Sequence, residues 1–395
     1  MNRLSTRCAN LERSRIRMFS EKLSDIAAQY DDVISFAIGE PDFIAPKNIE
    51  DACVEALRSG KSKYAPNAGL YSLREAISEK AEKIYGNHYD PETQVLITPS
   101  GMDSLRMVFQ ALLDEGDEVI VPDPTWSNHP NHPVLAGGVS VCVPVRESHN
   151  FTYEIADLEQ AVTPRTKAIL LNSPSNPTGA VIHYDDLSAI CEFAKRHDLI
   201  VVSDEVYYNI IFDGEKFWSP SMLDGMKERT IIVQSFSKTY AMTGWRLGYL
   251  LGPSDLILGI GKINENSISC VNTFVQIAGI EALSDRTEPE LRKMVEEFQR
   301  RRDVVYKMIN EIPGLSCAKP HGAFYAFVNI QKTGIDSETF ANELLQEKHV
   351  GVVPGNGFGQ SGEGFIRLSY ATSIDKIVEG IGRIADYVKE KAAAR

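Results

Sequence analysis

Short apolar runs that end in polar or proline-rich turns recur along the middle of this chain. Four of them, shown with their turns, are VIVP (119–122) before DPTWSNH, AILL (168–171) before NSPSNPTG, LIVV (199–202) before SDEVYY and TIIV (230–233) before QSFSK. Runs without polar alternation are typical of strands that are buried on both faces. Apolar residues at helical spacing mark the segments between them, such as residues 184–197. The pattern predicts an α/β fold in which helices cover both faces of a mostly parallel sheet.

The chain changes character after about residue 285. Residues 290–312 have one long amphipathic pattern, GAFYAFVNI (322–330) and GFIRLSY (364–370) are strand-like, and a last helix is predicted from residue 373. This pattern predicts a smaller α+β domain, to which we expect the N-terminal segment to return. The predicted parts are an N-terminal arm with part of the small domain (1–45), a large ligand-binding domain (46–285) and a small C-terminal domain (286–395).

Composition limits the classes of partner. The chain has 395 residues, 43% of them hydrophobic and 24% charged, and a formal net charge of −13. This acidity argues against nucleic acid or an anionic membrane as the main partner. The six cysteines are scattered without a CxxC pair, which favours small buried residues in a reducing compartment.

The chain has no apolar stretch long enough to span a bilayer and no signal-peptide core. Its first 17 residues carry five arginines, which are Arg3, Arg7, Arg13, Arg15 and Arg17. This enrichment is compatible with a targeting peptide or with an N-terminal arm of the mature protein, and we favour the arm. We therefore expect a cytoplasmic location.

Several common site motifs do not fit. GIGKIN (259–264) and GNGFGQSG (355–362) are glycine-rich, but neither completes a dinucleotide-binding fingerprint after a strand. The chain contains neither a GxxxxGK[ST] phosphate loop nor a GxSxG nucleophile elbow. The two histidines of HPNH (129–132) lie on a proline-rich loop without nearby thiolates, so we expect a structural role and no metal.

Polar residues at the carboxyl ends of the predicted strands indicate a different chemistry, because open parallel sheets bind ligands there. Lys238 follows one strand and Asp204 follows another. A lysine amine can form a Schiff base with an aldehyde, and pyridoxal phosphate also needs a carboxylate beside its ring nitrogen. Its phosphate needs hydroxyls, a cation and free backbone amides. These are offered by Ser235, Ser237, Arg246 and the helix start in PSGMDSLRMVFQALL (99–113).

SFSKTYAMTGWRLGY (235–249) resembles the cofactor-attachment motif of the class I/II aminotransferases of fold type I, SxSKxxxxxGxRxG. Further segments resemble landmarks of that family in the same order, namely GEPDF (39–43), YAPNAGLYSLREAI (64–77), NSPSNPTG, SDEVY and FIRLSYA. The resemblance covers nearly the whole chain and follows the aspartate/prephenate/aromatic branch. It implies pyridoxal 5′-phosphate as cofactor and a homodimer whose active sites are shared between subunits.

The resemblance also implies a role for each matching residue. Lys238 would form the Schiff base and carry a proton between the substrate Cα and the cofactor C4′. Asp204 would pair with the pyridinium nitrogen, Tyr207 and Asn176 would bond the phenolic oxygen, and Trp126 would stack on the ring. Asp204 could instead cap a helix and Trp126 could simply be a core residue.

The remaining implied roles concern the phosphate and the substrate. The phosphate ligands would be Ser235, Ser237, Arg246, the amides of Gly101 and Met102, and Tyr64 of the neighbouring subunit. Arg367 would bind the substrate α-carboxylate, with help from Asn176 and the backbone of Gly39. Plainer alternatives are a solvated strand face for Arg367 and an ordinary surface position for Tyr64.

Two further expectations come from the loops. His129 resembles a residue that supports the aspartate in some family members, but others have tyrosine there, so this role stays open. The Asp123–Pro124 and Asn176–Pro177 bonds match positions where the family uses cis proline, and we expect at least one to be cis.

These observations predict a ping-pong aminotransferase that acts on an L-amino acid and a 2-oxo acid. The alternatives are a carbon–sulfur β-lyase on the same fold and, more remotely, a non-catalytic effector-binding regulator. Met102 stands where dicarboxylate-using relatives have a lysine, and Arg15 in SRIR (14–17) could replace that charge, including across the dimer. We favour a neutral or aromatic donor with 2-oxoglutarate as acceptor, and aspartate stays open.

Overall fold

The structure is a computed structural model that describes residues 3–5, 8, 9, 11 and 13–394. Arg7 of the arginine-rich N-terminal segment lies outside the described residues. No helix in the described part of the chain combines the length and the apolar character that a membrane span requires.

The strands are, in chain order, β1 (Ile34–Ser35), β2 (Val95–Thr98), β3 (Glu118–Asp123), β4 (Val139–Pro144), β5 (Thr166–Asn172), β6 (Ile200–Asp204), β7 (Thr230–Ser235), β8 (Gly248–Leu251), β9 (Ser316–Cys317), β10 (Tyr325–Asn329), β11 (Val350–Gly351), β12 (Val353–Pro354) and β13 (Phe365–Ser369). The described α-helices are α1 (Arg15–Ala27), α2 (Lys47–Arg58), α3 (Tyr71–Tyr85), α4 (Gly101–Leu112), α5 (Asn131–Ala136), α6 (Ile155–Ala161), α7 (Tyr184–Arg196), α8 (Phe236–Thr239), α9 (Ser254–Ser267), α10 (Thr273–Ala282), α11 (Glu288–Asn310), α12 (Ser337–Lys348) and α13 (Ile374–Ala393).

The large sheet has the strand order β2-β8-β7-β6-β5-β3-β4. Only β8 runs antiparallel to its neighbours, so the prediction of a mostly parallel sheet is confirmed. The four apolar runs found in the sequence form β3, β5, β6 and β7. Because β2, β3, β5, β6 and β7 point the same way, their carboxyl ends meet at one edge of the sheet.

Helices pack on both faces of the large sheet, as the continuous apolar runs predict. Ile231 and Val233 of β7 belong to one buried cluster, together with Leu105 of α4. Ile232, which lies between them, belongs to a separate cluster with Ile77 of α3. Each such side chain contributes about 1.5–3 kcal/mol to folding through its burial.

A second, antiparallel sheet has the order β12-β13-β10-β9 and forms the predicted α+β part. The N-terminal segment returns to this region, because β1 pairs in parallel with β11. The long helix α11 lies two residues earlier than predicted at both ends, since Pro289 occupies its first turn, a position that proline favours. The domain boundaries at residues 45 and 285 stay a prediction.

A polar contact joins the large sheet to the loop before β13. The Asp123 carboxylate, at the end of β3, accepts from the Ser361 backbone N–H at 3.2 Å. Gly359 has a φ of +130°, and a Cβ there would overlap this carboxylate, so only glycine fits. The contact fixes the approach of the second sheet to the carboxyl edge of the first.

A buried carboxyl group lies behind that edge, on the residue after Asp204. Glu205 is 1% exposed, and its Oε1 accepts from Ser203 Oγ at 2.8 Å and from Ser219 Oγ at 2.6 Å. Its Oε2 has no hydrogen-bond partner within the described structure. Burial raises the pKa of this carboxyl to about 7.

This raised pKa predicts a stability that depends on pH. Between pH 4.5 and 7 the unfolded chain has released the Glu205 proton and the folded chain still holds it, so stability falls as the pH rises. Over this window the free energy of unfolding falls by about 3 kcal/mol. We expect Glu205→Gln to remove this pH dependence of stability, as measured by urea unfolding of variant and parent at pH 5 and pH 7.5.

The exposed Glu311→Gln serves as the control and should leave the pH dependence unchanged. Equal pH dependence in Glu205→Gln and the parent would show that Glu205 ionises with an ordinary pKa.

Candidate active site

A cavity of about 450 Å³ opens at the carboxyl edge of the large sheet, a size that suits a small-molecule ligand. Every site residue predicted from the sequence lines it except Tyr64. The lining residues are Ile16, Arg17, Gly39, Ser100, Gly101, Met102, Trp126, His129, Asn172, Asn176, Asp204, Val206, Tyr207, Ser235, Ser237, Lys238, Arg246, Tyr325 and Arg367. The strand ends, the N-terminal segment and the second sheet thus all contribute.

Lys238 lies on the short helix α8, directly after β7. Its Nζ donates to the Gly39 carbonyl at 2.7 Å. Burial lowers the pKa of this amine to about 8, although Glu40 raises it, while Arg367 and Arg246 lower it further. A larger fraction of the amine is therefore neutral near pH 7 than in an ordinary lysine, and the neutral form is the nucleophile.

Asp204 ends β6 and is 4% exposed. Its Oδ2 lies 2.8 Å from His129 Nε2, and His129 Nδ1 lies 2.6 Å from Thr125 Oγ1. The contact that the resemblance proposed for His129 is present. A histidine held in this way fixes the direction of the carboxylate. Asp204 Oδ1 accepts from the Val206 backbone N–H at 3.4 Å, and the residue lines the cavity.

The second histidine of HPNH is different. His132 is 4% exposed, and neither of its ring nitrogens has a hydrogen-bond partner within the described residues. Burial lowers its pKa to about 3, so the ring is neutral. It packs near Trp126, with ring centroids 6.3 Å apart.

The start of α4 provides a site for an anion. The helix begins at Gly101, which two residues separate from the end of β2, so the amides of its first turn have no partner within the helix. The hydroxyls of Ser235 and Ser237 lie 2.9 Å apart beside it. A Cβ at Gly248 would lie 2.9 Å from the Gly101 nitrogen, so the glycine keeps that amide uncovered. Arg246 adds a cation to the same cavity wall.

Arg367, on β13, lines the cavity from the second sheet. It is 2% exposed, so the alternative of a solvated strand face is wrong. Its Nη1 donates to Asn176 Oδ1 at 3.1 Å and its Nη2 donates to the Ala37 carbonyl. These contacts use two of its five N–H groups, so the terminal nitrogens of this buried cation retain donors for a carboxylate.

Two aromatic residues complete the cavity. The Tyr207 hydroxyl lies 2.8 Å from that of Tyr325, and Trp126 packs edge-on against His129. Tyr325 was missed by the sequence interpretation, because in GAFYAFVNI it has the pattern of a strand residue. The Asp123–Pro124 and Asn176–Pro177 bonds are both cis, which confirms that prediction, and Ser173–Pro174 is cis as well.

One arginine of the N-terminal segment lies at the mouth of the cavity. Arg17 lines the mouth beside Ile16 and Met102, whereas Arg15 of the same chain does not. A contact of Arg15 across a dimer stays a prediction. Tyr64 is 90% exposed and lies outside this cavity. Its implied contact with a neighbouring subunit stays a prediction.

The groups around the cavity fit pyridoxal 5′-phosphate. The uncovered amide at Gly101 and the paired hydroxyls of Ser235 and Ser237 suit a phosphate. Asp204 suits a protonated ring nitrogen, and Lys238 suits an aldehyde. These four features line the same cavity.

Comparison with known proteins agrees with this geometry. The family described as "Aminotransferase class I and II" matches residues 31–384. Aromatic-amino-acid aminotransferase 2 of Thermococcus litoralis is 43% identical over 98% of this chain and 99% of its own. An aspartate aminotransferase of Pyrococcus abyssi is 45% identical over 94% of this chain and 95% of its own.

Solved structures show the same similarity. The aspartate aminotransferase of Thermus thermophilus with maleate superposes with a TM-score of 0.92, at 37% identity over 98% of this chain and 100% of the other. The family match, the sequence relatives and the solved structure therefore all indicate an aminotransferase, and each covers most of this chain. The chain belongs to the class I and II aminotransferases, pyridoxal-phosphate-dependent enzymes that transfer an amino group from an amino acid to an oxo acid.

Proposed function

We propose that the 450 Å³ cavity is the active site of this aminotransferase and that Lys238 is its catalytic amine. The observation that carries the proposal is the convergence of Lys238, Asp204 and Arg367 on one enclosed space. They supply a nucleophile, a fixed carboxylate and a buried guanidinium. Amino-group transfer from an amino acid needs all three functions at once.

When bound, pyridoxal 5′-phosphate supplies an aldehyde that reacts with amines and a ring that withdraws electrons from the substrate Cα. Asp204, held by His129, keeps a ring nitrogen beside it protonated. Arg367 binds the α-carboxylate through the remaining N–H groups of its terminal nitrogens, which orients the Cα–H bond. The Lys238 amine, neutral in part because of its lowered pKa, then takes the proton from Cα.

Lys238→Ala tests this assignment. The variant should bind no cofactor covalently and lose the visible absorbance of the loaded enzyme, and turnover should fall by roughly 10²–10⁴-fold, the contribution of a general acid–base group. Absorbance spectra and steady-state kinetics measure both. Lys293→Ala, an exposed lysine of α11, is the control and should behave like the parent. Full activity of Lys238→Ala would reject the assignment.

We further propose that the enzyme uses a neutral or aromatic donor and 2-oxoglutarate as acceptor. Ile16 and Met102 present apolar surface at the mouth of the cavity, which suits an aromatic side chain. Arg17, beside them, is a cation that can meet the distal carboxylate of a dicarboxylic acid. Relatives named aromatic-amino-acid and aspartate aminotransferases support both kinds of substrate.

Arg17→Ser separates these two substrate classes. A charge-assisted hydrogen bond contributes about 1.5–3 kcal/mol, so the kcat/KM for 2-oxoglutarate should fall by roughly tenfold or more. The half-reaction with phenylalanine should change little, because Ile16 and Met102 remain. Arg292→Ser, at an exposed arginine of α11 that does not line the cavity, is the control. Equal losses for phenylalanine and 2-oxoglutarate, or a parent enzyme that reacts with aspartate alone, would contradict the proposal.

We also propose a homodimer in which Tyr64 reaches the phosphate site of the partner subunit. Tyr64 is 90% exposed and Ile44 is 81% exposed, so both side chains are accessible to a second subunit. A second copy of the chain would cover them.

Mass and cofactor affinity test the dimer. Sedimentation equilibrium should give twice the 43.9 kDa mass of the chain, and Tyr64→Phe should weaken cofactor binding by roughly tenfold. Tyr184→Phe, a surface tyrosine that is 47% exposed, should leave the affinity unchanged. A single-chain mass at micromolar concentration would refute the dimer, and unchanged affinity in Tyr64→Phe would refute the shared site.

A further inference from the structure

Tyr325 contacts the proposed cofactor site from the second sheet. It is the first residue of β10, and its hydroxyl lies 2.8 Å from that of Tyr207, which follows β6 of the large sheet. The exposed fractions of the two side chains are 1% and 3%. The two rings meet edge to face with centroids 5.7 Å apart. This buried hydrogen bond therefore connects the two sheets directly.

The Tyr325 hydroxyl is confined from its other sides. The guanidinium carbon of Arg367 lies 4.7 Å from the centre of the Tyr325 ring. A Cβ at Gly39 would lie 2.5 Å from the hydroxyl oxygen, a distance that Cβ contacts essentially never show. Position 39 must therefore be glycine for Tyr325 to reach Tyr207. The same tyrosine thus touches the carboxylate-binding arginine and the loop whose carbonyl holds Lys238.

The direction of this hydrogen bond follows from counting protons. Burial raises the pKa of both tyrosines, so each hydroxyl keeps its one proton at physiological pH. If Tyr207 donates that proton to a cofactor oxygen, it can only accept from Tyr325. The charged groups that face the pair are Arg367 and Asp204, and the Tyr325 hydroxyl has no other hydrogen-bond partner within the described structure.

We propose that Tyr325 is a positioning residue for amino-group transfer: it donates to Tyr207 and thereby directs the Tyr207 proton at the phenolic oxygen of the cofactor. This inference rests on the proposed roles of Tyr207 and Lys238. Successive hydrogen bonds polarise one another, so a donor behind Tyr207 makes Tyr207 a stronger donor itself. A stronger bond to the phenolic oxygen lowers the pH at which the nitrogen linked to Lys238 loses its proton.

Tyr325→Phe removes the hydroxyl and keeps the ring. The protonation midpoint of the bound cofactor, read from a pH titration of its visible absorbance, should rise by about 0.5–2 pH units, the range that coupled neighbours span. In a Tyr207→Phe background the same substitution should cause no further shift. If the Tyr325 ring had only a structural role, the midpoint would stay unchanged in both backgrounds, because phenylalanine preserves the packing.

Tyr370→Phe is the matched control. Tyr370 is as deeply buried, follows the neighbouring strand β13 and does not line the cavity, so its variant should titrate like the parent. If Tyr325→Phe unfolds before it can be titrated, Gly39→Ala offers a second route. Its methyl group displaces the Tyr325 hydroxyl and should also raise the midpoint.

The outcomes separate this inference from the site assignment. A loaded enzyme with normal absorbance, and a midpoint that is unchanged or lowered in Tyr325→Phe, would overturn the role of Tyr325 alone. A shift that persists at full size in the Tyr207→Phe background would overturn it too. Covalent cofactor binding that survives Lys238→Ala would overturn the site itself.

Discussion

The hydrogen bond from Lys238 to the Gly39 carbonyl is the constraint on which the site depends. It joins the end of the large sheet to the N-terminal loop at 2.7 Å, and it stabilises an amine that would otherwise be costly to bury. The same burial lowers the pKa of the amine to about 8. One arrangement therefore holds two parts of the fold together and makes the lysine reactive.

The cavity is lined by two sets of groups that suit anions, and these sets belong to different sheets. Backbone amides at the start of α4 and the hydroxyls of Ser235 and Ser237 form one set, and Arg367 on β13 is the other. Their separation is set by contacts between the sheets, such as Asp123 with the Ser361 amide and Tyr207 with Tyr325. A ligand that spans the cavity is therefore oriented by the packing of the two sheets as well as by its own contacts.

The sequence predicted what local patterns encode. Continuous apolar runs identified β3, β5, β6 and β7, and the resemblance supplied the residues at their ends. The antiparallel direction of β8 could not be predicted, because the apolar pattern of a buried strand is the same whether the strand is parallel or antiparallel to its neighbours. Tyr325 was missed because its partner lies 118 positions away. Arg17 lines the cavity of its own chain and Arg15 does not, because both lie on α1, where residues two apart point to nearly opposite sides.

The central claim is that Lys238 holds the cofactor covalently at the edge of the large sheet. Borohydride reduction of the loaded enzyme, followed by proteolysis and mass spectrometry, tests it most directly, because reduction makes a lysine–aldehyde linkage permanent. We expect a single modified peptide that carries the pyridoxyl phosphate mass on Lys238. Modification of a different lysine, or no modified peptide from an enzyme that retains bound cofactor, would contradict the account.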